Sequence, residues 1–112
     1  MKKYVILTLN FYLLSFSGPI FTNILDNLIL EPGFNISIYA DNLDSPRQMV
    51  EGKNGVIFVG ERNGRILALR DMDNNGQVDS KIVIADGLTY STGVSLFDGD
   101  LYFSEISQIW KI

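Results

Sequence analysis

The chain has 112 residues, a net charge of −4, a hydrophobic fraction of 46%, and neither cysteine nor histidine. This is the composition of a globular protein, and the acidic balance argues against a nucleic-acid partner. Because cysteine is absent, no disulfide framework replaces a hydrophobic core.

The N-terminal residues have the layout of a secretory signal peptide. Two lysines follow the first methionine, a mostly apolar run covers residues 4–16, and the small residues Ser15 and Ser17 form a cleavage site. The run is shorter than the roughly 20 residues that cross a membrane, so no stable membrane span is expected; an uncleaved anchor is the alternative. We expect residues 1–17 to be a signal peptide, residues 18–32 to be a linker, and the protein to be periplasmic or secreted by a bacterium.

Beyond the linker, the sequence predicts short β-strands separated by turns. Strand patterning covers residues 34–40, 56–61, 65–70, 81–85, 93–97, 101–105 and 108–112. Asn63-Gly64 lies between two of these apolar runs and predicts a tight hairpin, because both residues tolerate positive φ. No segment has sustained helical periodicity, so the predicted fold class is all-β.

The sequence also repeats itself. Five pairs of similar residues recur at offsets of 43 to 45: Leu43 and Leu88, Gly55 and Gly99, Phe58 and Tyr102, Glu61 and Glu105, and Ile66 and Ile109. A period near 44 with about four strands per unit is the signature of β-propeller blades. Since about three such units are needed for a stable stack, we expect residues 33–112 to be the truncated N-terminal part of a propeller, its first blade and most of a second. A complete β-sandwich is the alternative.

Several motifs carry a family resemblance. "SPRQM", "NGVIFVGER", an acidic loop and "DGDLYFSE" follow one another in an order that resembles the N-terminal portion of the glucose/sorbosone dehydrogenase family. These are exported six-bladed propellers that oxidise sugars with pyrroloquinoline quinone (PQQ). Lactonase-like and NHL-type propellers share part of the pattern, so a non-catalytic module that binds a protein or glycan is the alternative.

The resemblance implies a chemistry and a missing residue. A calcium ion polarises PQQ near the central channel, a histidine acts as general base on the sugar hydroxyl, and hydride passes to the quinone. Imidazole suits this task because its pKa lies near neutral pH. This sequence has no histidine. We therefore expect the base to lie in the remaining blades of a longer parent protein, and the fragment alone to be inactive.

The segment "DMDNNGQVDS" follows the pattern of a calcium-binding loop. Its oxygen donors alternate along the chain: Asp71, Asp73, Asn75, Gln77 through its backbone carbonyl, and Asp79. Gly76 permits the turn, but Ile82 stands where such a loop places a bidentate glutamate, which predicts weaker binding or a ligand from Asp86. The loop would lie between the third and fourth strands of the first blade, far from a central channel. We expect a structural calcium site; an Asx-type turn without metal is the alternative.

Arg47 and Gln48 are the candidate cofactor residues. They follow Pro46 at the start of the first blade, whose strands we expect between Gln48 and Ala85. Immediately before the innermost of these strands, their side chains would reach the channel mouth. An arginine fork binds carboxylates such as those of PQQ bidentately. The alternative is a solvated turn charge that pairs with Asp44 or Glu51.

Glu61 and Glu105 occupy equivalent places at the ends of the second strands of the two units. A residue that recurs with the repeat is more often structural than catalytic. We expect these two carboxylates to be polar ties between blades.

Overall fold

The computed structural model describes residues 24–112, so the predicted signal peptide and the start of the linker lie outside the described residues. The chain divides into two units, Met1–Phe34 and Asn35–Ile112. The described part of the first unit contains a 3-10 helix, Ile24–Asn27, and a turn at Pro32 and Gly33. Among residues 24–112, no helix is long and apolar enough to cross a membrane.

The second unit contains two antiparallel sheets. Sheet A has the order β1-β2-β3-β4, and its strands are Pro46–Glu51, Ile57–Glu61, Arg65–Arg70 and Ser80–Ala85. Sheet B has the order β5-β6-β7, and its strands are Gly93–Phe97, Asp100–Ser104 and Ile109–Lys111. A short 3-10 turn, Lys53–Gly55, joins β1 to β2. The prediction of an all-β fold is therefore confirmed.

The strand predicted over residues 34–40 is wrong. This segment is irregular, and its apolar residues Phe34, Ile36 and Ile38 are exposed. The Tyr39 carbonyl accepts a hydrogen bond from the Val78 N–H at 2.9 Å, which attaches the segment to the loop after β3. Alternating polarity determines which side chains share a face, but a strand also needs a partner ladder, and this segment has none among the described strands.

Sheets A and B pack face to face. Their shared core consists of buried Ile66 from β3 and buried Val94, Leu101 and Phe103 from sheet B. Phe58 of β2 packs against this cluster. The contact follows from strand periodicity, because alternate residues of each strand point to one face.

The other face of sheet A has a separate core. Val59, Leu67 and Leu69 are buried there. They are covered by half-buried residues from the segment before β1 and from the β3–β4 loop: Tyr39, Ala40, Leu43 and Val78. Both faces of sheet A are therefore covered within the second unit.

The predicted repeat is present in the strand pairing. Met49 pairs with Val59 in sheet A as Val94 pairs with Phe103 in sheet B, which gives offsets of 45 and 44. The partners of Val59 and Phe103 on the next strands are Leu67 and Trp110, which gives an offset of 43. The same three offsets relate the repeated residues of the sequence, so β5, β6 and β7 correspond to β1, β2 and β3.

The turns repeat as well. Left-handed backbone conformations recur in four pairs at offsets of 45 or 44: Asn42 and Gly87, Ser45 and Tyr90, Asn54 and Asp98, and Gly55 and Gly99. A positive φ is uncommon outside glycine, so its recurrence at matched positions is unlike chance. The segments that precede the two sheets, and the turns that follow their first strands, therefore have the same local backbone geometry.

The Asn63-Gly64 hairpin forms as predicted, with a different turn. Glu61 pairs with Arg65, so the loop has three residues, and Gly64 alone within it has positive φ, at 96°. This is the pattern of a three-residue hairpin loop in which the last residue is left-handed. The Gly64 carbonyl accepts the Leu88 N–H at 3.0 Å, which anchors the connection between the sheets to the hairpin.

Candidate functional site

The acidic loop connects β3 to β4 and is closed at its base. The Asp79 N–H donates to the Arg70 carbonyl at 2.9 Å, so the chain leaves the sheet and returns at neighbouring positions. Asn74 and Gly76 have positive φ, at 58° and 85°, which gives the loop its tight path. Glycine and asparagine are the residues that adopt this conformation most readily.

Side-chain carboxylates organise the loop from inside. Asp71 accepts hydrogen bonds from the backbone N–H groups of Asn75 (3.2 Å) and Gly76 (2.8 Å). Asp73 also accepts the Asn75 N–H, at 3.1 Å, and Asp79 accepts the Met72 N–H at 2.6 Å. These are Asx-type turns, in which short acidic side chains bind their own backbone.

Three carboxylates converge in this loop. Oxygen atoms of Asp71, Asp73 and Asp79 all lie within 4.8 Å of one another, and the group is largely exposed. Each carboxylate has lone pairs beyond those used by the backbone, and hard oxygen donors are the ligands that calcium prefers. The donor set therefore fits a divalent cation, with the Asx turns holding the oxygens in place.

Other predicted ligands are placed differently. The Asn75 amide oxygen accepts the Gln77 N–H at 2.8 Å, so it already serves the turn. The Asp86 carboxylate accepts the Gly87 N–H at 2.7 Å and is not a member of the acidic cluster. The structure thus brings together the three aspartates but does not add Asp86 to them.

The pKa of Asp71 lies below its ordinary value. Desolvation raises this pKa, but the hydrogen bonds from the backbone N–H groups of Gly76, Asn75 and Asn74 together outweigh it. A hydrogen bond with the Asp73 side chain acts in the same direction. Donors that bind the charged form favour it, so the loop stabilises an ionised Asp71.

Arg47 and Gln48 lie within β1. The sequence pattern had placed them just before the first strand. The pairing shifts between Pro46 and Gln48, which leaves Arg47 out of the ladder in an irregularity of the β-bulge kind. Such bulges redirect a side chain, and Arg47 is exposed. Gln48 pairs with Gly60 and lines a groove beside Gly93.

The acidic loop and these two residues lie at opposite ends of sheet A. Pro46 pairs with Glu61, and Glu61 with Arg65, at one end of the sheet. At the other end Arg70 pairs with Ser80, directly beside the acidic loop. A cation in the loop would therefore not lie beside a ligand held by Arg47 and Gln48.

Glu61 is a buried anchor. Its side chain is fully buried, and it accepts the Asp44 N–H at 2.6 Å and the Arg65 Nε–H at 2.7 Å. The Arg65 guanidinium also forms an ion pair with it at 2.7 Å. The carboxylate thus holds the segment before β1 against the β2–β3 hairpin.

Glu105 makes the equivalent contact in sheet B. It accepts the Thr89 N–H at 2.6 Å, and Thr89 precedes β5 as Asp44 precedes β1. The indole N–H of Trp110 and the side-chain amide of Gln108 donate to its other oxygen, each at 3.1 Å. Both glutamates therefore bind residues of their own repeat, and the expectation of ties between blades is wrong.

One contact between the two repeats has no signal in the sequence. The Arg62 guanidinium lies 4.6 Å from the centre of the Tyr90 ring and donates to the Tyr90 hydroxyl. Arg62 follows β2, whereas Tyr90 lies in the connection to sheet B. Only the packing of the two sheets brings these residues together.

Compared with models of known families, with curated proteins and with solved structures, the chain gives no significant match. Its function is therefore inferred from its own residues.

Proposed function

We propose that residues 33–112 form the first blade and three strands of the second blade of an exported β-propeller of the glucose/sorbosone dehydrogenase type. The parent protein would oxidise a sugar hydroxyl by hydride transfer to PQQ. The observation that carries the proposal is the repeated pairing register, in which β5–β7 follow β1–β3 at offsets of 45, 44 and 43. Stacked sheets of one repeat are the architecture of propellers.

The packing of the sheets supports this arrangement. The first strands of the two repeats, β1 and β5, contact each other, and sheets A and B share the core around Ile66 and Phe103. In a propeller the first strand of each blade lines the channel, so the exposed end of β1 would face it. Arg47 and Gln48 stand at that end.

Arg47 is the residue best suited to a carboxylate-bearing cofactor. It is exposed, and no ion-pair partner for its guanidinium lies among residues 24–112. Its fork can bind a carboxylate bidentately, and the Gln48 amide can add a hydrogen bond. Bound PQQ would supply the hydride acceptor. A histidine base would come from the parent outside these 112 residues, because they contain none.

The acidic loop has a structural part in this proposal. Calcium held by Asp71, Asp73 and Asp79 would fasten the β3–β4 loop, with the remaining lone pair of the Asn75 amide oxygen and the Gln77 carbonyl as further donors. Its position at the end of sheet A remote from Arg47 supports a role in stability. It does not support a role in polarising the quinone.

The proposal is tested on the parent protein. Reading the encoding DNA past Ile112 should give further units of the same period and a histidine in a channel-facing loop. The expressed parent, with PQQ and calcium, should reduce a dye in the presence of an aldose. Further units without that histidine, together with no dye reduction on a panel of aldoses, would leave the non-catalytic binding module as the function.

Two arginines provide a matched test of cofactor binding. Arg47→Ala should weaken PQQ binding to the parent by about tenfold or more, since it removes a charge-assisted bidentate contact. Arg70→Ala is the control, because Arg70 is also exposed but lies at the opposite end of sheet A. Equal loss in both variants would show a general charge effect and count against a channel site.

Export is tested separately from catalysis. If residues 1–17 are a signal peptide, N-terminal sequencing of the protein from the periplasm or medium should start at Gly18. A cell-associated product that retains Met1 would contradict the proposed localisation.

A further inference from the structure

Residues 35–43 repeat the sequence of β4 and of the turn after it. The segment reads "NISIYADNL", and residues 80–88 read "SKIVIADGL". At a constant offset of 45, three pairs of identical residues match: Ala40 and Ala85, Asp41 and Asp86, and Leu43 and Leu88. Residues 35–40 therefore correspond to β4, the fourth strand of sheet A.

The structure places the end of this segment as it places the end of β4. Three residues of the segment pack on the core around Leu67 of sheet A: Tyr39, Ala40 and Leu43. Their counterparts at the same offset pack on the core between sheets A and B: Ile84, Ala85 and Leu88. The offset of 45 thus relates tertiary contacts as well as sequence.

Residues 35–38, the donor segment, lack the pairing that β4 has. They make no hydrogen bond with residues 24–112, and Ile36 and Ile38 are 45% and 49% exposed. A segment with strand patterning and free backbone groups can add to the edge of a sheet. The donor segment is therefore a fourth strand without the rest of its sheet.

Sheet B offers the complementary edge, because it ends at β7 where sheet A continues to β4. Ile112 and Leu101 exchange both backbone hydrogen bonds, at 2.8 and 3.0 Å. Bonding direction alternates along a strand, so Ile109 and Lys111 direct their N–H and C=O groups away from β6. These groups have no partner strand among residues 24–112.

The repeat fixes the register in which the donor segment would meet this edge. The β3–β4 pairs are Leu67 with Val83, Ala68 with Ile82, and Leu69 with Lys81. At the offsets of the repeat, the corresponding pairs are Trp110 with Ile38, Lys111 with Ser37, and Ile112 with Ile36.

This register brings exposed apolar side chains together. Trp110 and Ile112 are 42% and 59% exposed on one face of sheet B. Ile38 and Ile36 would stand opposite them, and aromatic and β-branched side chains in directly opposed positions stabilise a sheet. Pairing would therefore cover apolar surface on both partners and satisfy the free backbone groups.

The chain's own β7 does not meet the donor segment. Sheet B packs on the face of sheet A that carries Ile66, whereas Tyr39 and Ala40 lie on the face that carries Leu67. Sheet A therefore separates the residues next to the donor segment from sheet B. The partner strand has to come from another molecule.

We propose that the donor segment of one copy of the chain forms the fourth strand of sheet B in a second copy, paired with β7. Two copies could also meet through the exposed outer faces of their sheets B, but that contact would leave the donor segment and the β7 edge unpaired. The proposal uses the repeat offsets that the proposed function also uses, and it goes beyond that function because it concerns assembly and needs neither cofactor nor sugar.

Engineered cysteines test the pairing directly, because the chain has none of its own. Paired residues such as Ser37 and Lys111 would have Cα atoms about 5.5 Å apart, within disulfide range. Ser37→Cys mixed with Lys111→Cys under mild oxidation should give mainly the mixed disulfide dimer. Lys53→Cys is the matched control, because Lys53 is also an exposed lysine but lies in the β1–β2 turn, and it should give at least about tenfold less.

Two variants of Ser37 test the backbone contact. Ser37 corresponds to Ile82, whose partner Ala68 corresponds to Lys111, so its N–H would donate to the Lys111 carbonyl. Ser37→Pro removes this donor and should weaken association at least about tenfold in sedimentation, whereas Ser37→Ala keeps it and should stay within about twofold. Both should melt like the original chain when dilute, because Ser37 is exposed and unbonded within residues 24–112.

Three results would overturn the proposal. The first is an original chain that stays monomeric up to about 1 mM. The second is association that Ser37→Pro leaves unchanged, which would indicate contact through the outer faces of the sheets. The third is a disulfide that forms in Lys111→Cys alone as readily as in the mixture, since two β7 edges would then pair with each other. PQQ and sugar enter none of these measurements, so failure of the dehydrogenase proposal is seen separately.

Discussion

Among the glycines of residues 24–112, Gly64 is the one where an added methyl group would stand closest to another atom. Its φ is 96°, and a Cβ there would stand 2.0 Å from the Leu88 carbonyl oxygen. Gly99 has a similar φ of 90° but open space around the same position. The two glycines therefore separate backbone strain from steric exclusion.

We expect Gly64→Ala to lower the free energy of unfolding by at least about 3 kcal/mol, because strain and a backbone clash add together. Gly99→Ala should cost only about 1–2 kcal/mol, from strain alone. Urea unfolding followed by circular dichroism measures both. Equal costs in the two variants would mean that the Gly64–Leu88 approach relaxes without penalty.

The acidic loop gives a prediction about calcium. Asp73→Asn keeps an acceptor for the Asn75 N–H but removes one of three converging charges. We expect calcium to raise the melting temperature of the original chain and of Asp98→Asn, whose carboxylate is in another turn, but not that of Asp73→Asn. Calorimetry with calcium and with a chelator measures the shift. Identical melting of the original chain in both conditions would support an Asx turn without metal.

Asp71 gives a prediction about pH. Its pKa in the folded chain is below the ordinary value of 3.8, so the charged form contributes stability above that value. The contribution is lost as the pH falls through the lowered pKa. In chelator, the original chain should therefore be more stable than Asp71→Asn at about pH 6 and lose this advantage by about pH 2. A stability difference that is the same at both values would contradict the assigned cause.

At the scale of elements, one contact recurs in both sheets. A glutamate at the end of the second strand binds the backbone N–H of a residue before the first strand: Glu61 binds Asp44, and Glu105 binds Thr89. A backbone N–H that finds such a partner does not remain unsatisfied when the sheet packs. In each repeat, the contact therefore joins the segment before the first strand to the hairpin that follows the second strand.

The two glutamates should differ in energetic weight. Glu61 is fully buried and its partner Arg65 is 33% exposed, so Glu61→Ala leaves a backbone donor unpaired and a partly solvated charge without its partner, and should cost about 2–3 kcal/mol. Glu105 is only half-buried, so Glu105→Ala should cost about 1–2 kcal/mol. Chemical unfolding measures both. A larger cost at Glu105 would show that the hydrogen bonds from Trp110 and Gln108 contribute more than the Glu61–Arg65 ion pair.

At the scale of the whole second unit, the sheets are joined by one apolar core. Ile66 of β3 is fully buried against Val94 and Phe103 of sheet B. Trp110 is the chain's one tryptophan and lies on β7, so its fluorescence reports on sheet B. Circular dichroism reports on both sheets.

Under conditions in which the chain folds without further repeats, we expect both signals to follow a single unfolding transition, because neither sheet covers this core alone. Ile66→Ala should move the two transitions together and cost about 2–5 kcal/mol through the cavity it leaves. Val83→Ala, at a 51% exposed position of β4, should move them by less than about 1 kcal/mol. A fluorescence transition that stays in place when Ile66→Ala shifts the dichroism would show that the sheets unfold independently.

Much of the strand layout is predictable from local pattern. Residues 65–70 and 93–97 form strands with the predicted bounds, because alternating polarity is bounded there by turn residues. The same pattern over residues 34–40 gives no strand, since alternation does not supply a pairing partner. Local pattern thus predicts which residues can form a strand, and long-range pairing decides which of them do.

The candidate sites divide in the same way. The sequence by itself determined the candidate oxygen donors of the acidic loop and the offsets of the repeat, because both follow from the identity and spacing of residues along the chain. Only the tertiary structure decided that the acidic loop and Arg47 lie at opposite ends of sheet A, and that Glu61 and Glu105 bind within their own units. The physical reason is that strand register and burial arise from contacts between distant residues, which carry no spacing signal along the chain.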